Sequence, residues 1–164
     1  MKRGLLLLFA FLAGLAHADM PIVYIPESNL PYEFSPANYD NSPANYDNSL
    51  ANYENSEANY ANSSANYDNS PANYDNGLGG SRRLYYLPDN IHMTWAGYFV
   101  VRDNDYVNFF SPGGRRMFYS PAGHTGVFSA EDGSFCGVIA KFKGTVSLVL
   151  TSHGTEVFHR LDTQ

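Results

Sequence analysis

Across residues 35–76 the chain writes one seven-residue phrase six times without a gap: SPANYDN, SPANYDN, SLANYEN, SEANYAN, SSANYDN, SPANYDN. Ser opens every copy, Asn stands at the fourth and seventh places, and Tyr39, Tyr46, Tyr53, Tyr60, Tyr67 and Tyr74 hold the fifth. A period of seven suggests a coiled coil, which needs apolar residues three and four apart on a helix. Ala and Tyr instead stand two and five apart, among Asn, Ser, Asp and Pro, which favour turns over helix interiors. A stacked solenoid is the ordered alternative. Ordering seven backbones costs more than burying one tyrosine returns, and Pro36, Pro43 and Pro71 each lack a ladder donor. Residues 35–76 are therefore expected to be disordered.

A disordered stretch of this composition is a flexible polymer with an aromatic group every seven residues. The six tyrosines are the candidate binding residues, acting as a sticker or borne along on a mere spacer. A worn seventh copy precedes them in SNLPYEF, residues 28–34, with Ser28, Tyr32 and Glu33 in register. Glycine-rich residues 77–83 read as a hinge. Calcium would find oxygen ligands here, but each copy offers at most two carboxylates and no glycine for a ligand loop.

Residues 1–18 read as a secretory leader: Lys2 and Arg3, a short apolar run, then Ala16-His17-Ala18 as the cleavage signal. Cleavage near Ala18 would place the chain in the periplasm or outside the cell, without a transmembrane segment. It would also take the formal charge from −6 to −8. Residues 19–76 hold nine acidic side chains and no Lys or Arg, against eight basic and seven acidic in 77–164. That is the wrong sign for nucleic acid or for an anionic membrane surface. The single cysteine, Cys136, excludes an intramolecular disulfide. Strict strand alternation puts it on an apolar face with Val138, Ala140 and Phe142, as an inert buried thiol.

Beyond the hinge the composition changes to aromatic and β-branched runs punctuated by glycine. Strands are expected at 94–102, 106–110, 115–120, 125–129, 134–142, 146–151 and 155–160, with hairpin turns at Lys143-Gly144 and His153-Gly154. No window shows helical periodicity. Three segments, starting at Phe110, Phe128 and Leu150, share one hairpin-like pattern. The fold class is therefore all-β: a small antiparallel meander, barrel or sandwich, over 84–162, after residues 19–34, the disordered repeats and the hinge. Trp95, Tyr98, Phe99, Phe109, Phe118, Phe128, Phe142 and Phe158 are the expected large core residues.

Tandem Asn-Tyr-x-Asn-Ser-Pro phrases followed by an aromatic segment such as GYFVVRDNDYVNFFSPGGRRMFYSP resemble a group of small exported bacterial proteins of unknown function. In that group Trp or Tyr takes the aromatic place and a short β-rich segment follows. The resemblance covers 35–121 and implies no activity and no catalytic or binding residues.

The residues give catalysis little to work with. The chain has no GxSxG, HExxH or CxxC motif. His153 and His159, on one straight strand, would stand about 20 Å apart; His92 and His124 read as loop residues. No catalytic residue, metal site or cofactor is expected. The expectation is a secreted, non-enzymatic binding or envelope-associated protein, its partner an unknown protein, an envelope component or itself. A self-associating matrix protein and a small hydrolase are the alternatives.

Overall fold

The computed structural model describes residues 19–87 and 93–162. The expected leader and His92 lie outside the described residues. Eight strands close a barrel: β1 (Met20–Tyr24), β2 (Arg83–Tyr86), β3 (Thr94–Val101), β4 (Val107–Phe110), β5 (Arg116–Ser120), β6 (Gly126–Ser129), β7 (Phe135–Phe142) and β8 (Thr145–Leu150). Strands β2 to β8 pair as an antiparallel meander. β1 then closes the ring, running parallel to both β2 and β8. A barrel leaves no unpaired sheet edge. At Lys143-Gly144 the φ values of 49° and 84° are the left-handed pair that a tight β7–β8 hairpin requires.

Three bulges shape the interior. Ala96, Met117 and Cys136 are the extra residues opposite Leu84/Tyr85, Phe109/Phe110 and Val127/Phe128, and all three are buried in the inner core. Bulges bend and twist a strand, as so small a ring demands. Cys136 consequently leaves the face of Val138 and Ala140, which pack in a second, outer cluster. Of the expected core aromatics, Tyr98, Phe99, Phe109, Phe118, Phe128 and Phe158 are buried; Trp95 and Phe142 are partly exposed.

The strand expected at 155–160 is instead part of a helix, α1 (Ser152–Asp162). Thr151 caps it, its Oγ1 accepting from Gly154 N at 3.2 Å. Val157, Phe158 and Leu161 make its apolar stripe and join the barrel interior. Gly154 is present for close approach, since a Cβ there would lie 2.0 Å from the Cys136 carbonyl oxygen. Among the described residues no helix is long and apolar enough to cross a membrane.

The expected disorder of 35–76 is not what the structure has. Each copy forms one short 3-10 turn over its last three residues, from Tyr39–Asn41 to Tyr74–Asn76. The worn copy does the same at Tyr32–Phe34, with Phe34 buried where the others carry Asn. Residues 77–83 begin as one more turn, Gly80 N donating to Gly77 O at 2.9 Å, before β2. The whole array is the crossover from β1 to β2, laid on the barrel's outer wall.

Replacing Gly154 with alanine drives a methyl group into the β7 backbone. We expect a loss of about 2 kcal/mol or more, read as a lower urea midpoint with an unchanged m-value.

Candidate binding surface

Within a copy, five hydrogen-bonding roles are filled by invariant residues. The backbone closes three i to i+3 bonds: fourth N–H to first carbonyl, seventh to fourth, and the next copy's first to the fifth. The fourth Asn accepts from the sixth N–H, and the Ser hydroxyl accepts from the third. Neither the second nor the fifth N–H donates in this network, so Pro36, Pro43 and Pro71 forfeit nothing.

The seventh Asn binds copy to copy. Asn41, Asn48, Asn55, Asn62, Asn69 and Asn76 are buried, and each Nδ2 donates to a carbonyl six residues back and another eight back, at 2.8–3.3 Å. Asparagine, not tyrosine, is therefore the interior residue.

The barrel meets this ladder copy by copy. His124 Nδ1 lies 3.0 Å from Asp40 O, and Tyr119 donates to Asn48 O at 2.7 Å. Tyr106 donates to Asn55 Oδ1 at 3.0 Å, and Arg116 to Asn55 O at 2.8 Å. Asn108 and Arg102 both donate to Asn62 Oδ1, Tyr98 to Asn69 O, and Arg82 to Asn76 Oδ1. Arg116 is only 6 % exposed. Its guanidinium also donates to Asn108 Oδ1 at 2.7 Å and Tyr106 Oη at 3.0 Å, and burial lowers its pKa. Leu30, Phe34 and Leu50 of the crossover share an apolar cluster with Tyr106, Tyr119, Phe128 and Val138 of the wall.

With asparagine inward, tyrosine faces out. Tyr39, Tyr46, Tyr53, Tyr60, Tyr67 and Tyr74 are 59–76 % exposed, and Tyr32 of the worn copy falls in the same range. Tyr53 and Tyr60 reach forward to the carbonyls of Ala58 and Ala65 in the next copy, alanines that are exposed like the rings; we call the repeat tyrosines and these alanines the tyrosine stripe. The sixth-place acids flank it: Glu54 pairs with Arg102 at 3.3 Å, and Asp47 lies 4.0 Å from His124, both carboxylates staying well exposed.

Among the described residues, other chemistry is sparse. Ser134 Oγ donates to Asp132 Oδ1 at 2.6 Å and sits 2.8 Å from His153 Nε2. A serine nucleophile passes its proton to histidine, whereas this hydroxyl gives its proton to the carboxylate and holds Asp132 below the usual carboxylate range. The trio ties the β6–β7 turn to α1. A cavity of about 510 Å³ lies between copies four and five and the barrel, lined by Glu57, Ser64, Arg115, Arg116, Glu131 and Leu161. Arg116 is spent on the ladder, and Glu131 pairs with Arg160 at 3.1 Å. Among the described residues no group of three His, Cys, Asp or Glu is placed to hold a metal.

Two outcomes separate inner from outer residues. Asn55→Ala removes three buried hydrogen bonds and should cost about 3 kcal/mol, while Tyr53→Ser should stay within about 0.5 kcal/mol by urea titration. Burial pushes the Cys136 thiol up to about 12 from 9.0, and Tyr106 up to about 12 from 10.0. Tyr98 and Tyr119 are raised for the same reason. Above about pH 9 the unfolded chain sheds protons that the folded chain keeps, so the contribution of these groups is full below that pH and is lost toward pH 12. The urea midpoint at about pH 10.5 should lie clearly below that at about pH 8.

Compared with known proteins, the chain matches no family model, no curated protein and no solved structure.

Proposed function

We propose that this is a secreted, non-enzymatic binding protein of the periplasm or extracellular space, whose contact surface is the tyrosine stripe. The barrel is its rigid backing, not a second binding module on a tether. One observation carries the reading: the repeat turns every fifth-place tyrosine to solvent, while Tyr98, Tyr106 and Tyr119 of the barrel are buried beneath it. A monomer rarely exposes so many large aromatic side chains in one segment without a partner for them, and tyrosine gives contact area at low entropic cost. The residue sequence alone led to the same six side chains as candidates, on a flexible chain; a fixed row is the better binding surface.

Self-association is the second reading. The closed barrel offers no edge strand to another copy, so assembly too would run through the tyrosines.

The test replaces all six repeat tyrosines with serine. Because the rings are exposed, the variant should fold with a near-native urea midpoint. We expect its retention on isolated envelope fractions to fall at least tenfold. Undiminished retention of a folded variant overturns the proposal. Concentration-dependent sedimentation of the native chain, lost in the variant, would identify the partner as a second copy.

A further inference from the structure

We infer that the tyrosine stripe is built for an extended polypeptide rich in lysine and arginine. The inference rests on the tyrosine surface proposed above and specifies its ligand.

The first ground is charge. Residues 19–76 contribute nine carboxylates and no Lys or Arg. Asp19 is taken up by Arg83 of β2, at 2.8 and 2.9 Å, but the repeat's own carboxylates stay largely open. Asp40, Asp47, Glu54, Asp68 and Asp75 follow the tyrosines at the sixth place, and all but Asp75, which is partly exposed, are exposed. Arg102 and His124 of the barrel reach Glu54 and Asp47 from one side only, leaving their side chains 65 % and 67 % exposed. The backbone N–H of each sixth residue is engaged by the fourth Asn. The carboxylates themselves are thus presented to solvent next in sequence to the rings, at one fixed place in five of the six copies; copy four has Ala61 there.

The second ground is the pairing of surfaces. An aromatic face attracts a cation through its quadrupole, and a neighbouring carboxylate takes the same cation's hydrogen bonds. Lysine and arginine carry a long apolar stem below the charged head, and such stems lie along apolar surface while the head finds its partner. The Tyr–Ala stripe supplies the apolar track and the sixth-place row supplies the anions. Both recur with the seven-residue period, the anions skipping copy four at Ala61, so the ligand they fit is extended and repeatedly charged. A neutral polymer would leave the carboxylates desolvated without partners, and a polyanion would be repelled.

The experiment titrates the chain from Asp19 onward with short poly-L-lysine, poly-L-glutamate and chitosan, at about 50 and 300 mM salt. Chitosan, titrated at a pH below the pKa of its amines, is a polycation without flexible stems. Two variants accompany it: the six-tyrosine serine chain, and Asp40→Asn/Asp68→Asn/Asp75→Asn. We expect poly-L-lysine to bind, poly-L-glutamate not to bind and chitosan to bind at least tenfold more weakly. Each variant should lose at least tenfold in affinity for poly-L-lysine. Salt should weaken the native chain and the tyrosine variant alike, since screening acts on the carboxylates. Equal binding by the tyrosine variant would reduce the effect to the attraction of any acidic protein and overturn the inference. Equal binding by the asparagine variant, or preference for chitosan, overturns it too. If poly-L-lysine fails to bind while the tyrosine variant still loses envelope retention, this inference falls and the tyrosine surface stands.

Discussion

The parallel placement of β1 beside β2 governs everything else in the molecule. Two neighbouring parallel strands cannot be joined by a hairpin and need a crossover, and here residues 25–82 are that crossover. Both ends are pinned in one closed ring, so the repeat is a tied loop and not a free chain. Its course follows from its partners. It meets His124 just before β6, Tyr119 on β5, Tyr106 and Arg116 beside β4 and β5, Asn108 on β4, Tyr98 on β3 and Arg82 before β2. Six copies thus traverse the wall from β6 to β2 at nearly one copy per strand. Each copy is thereby tied to its own stretch of the wall.

Departures from the consensus phrase have the same cause. Copies one, two and six are identical, and all variation falls in copies three to five, at the second and sixth places. Leu50 joins the outer apolar cluster and packs 3.4 Å from where a Cβ on Gly133 would stand. Glu54 meets Arg102, and Glu57 and Ser64 line the cavity beside Arg116. Invariant places close each turn and, through the seventh Asn, join it to the preceding copy and to the barrel's donors; the variable Leu50, Glu54, Glu57 and Ser64 face what lies next to their particular turns.

The strands of the meander were legible because alternation and turn chemistry agree there, as at Lys143-Gly144. The misreadings have specific causes. His153-Gly154 looks like a hairpin turn, but Thr151 caps a helix and Gly154 only clears the Cys136 carbonyl. Strict alternation missed the bulge at Cys136, which no local residue type announces except Gly137. β1 is five residues long and takes its meaning only from two distant neighbours. The repeat was misjudged because its largest residue was taken as the interior one. The signal was present in the seventh Asn, identical in every copy: one amide has two donors and so can join two turns. What no reading of the repeat alone contains is the row of barrel side chains that completes it.

That completion changes how tyrosine can act in recognition. On a coil, each ring that engages a partner must first give up the freedom of its own seven-residue segment. On the barrel-backed ladder that entropy is already spent in folding, so contact at successive rings is limited by fit and not by ordering. On the function proposed above, the same rigidity would narrow the choice of partner, because a backbone held in register cannot adapt to irregular spacing. A built row of this kind favours ligands that repeat, which is why the surface is better understood through its period than through any single tyrosine in it.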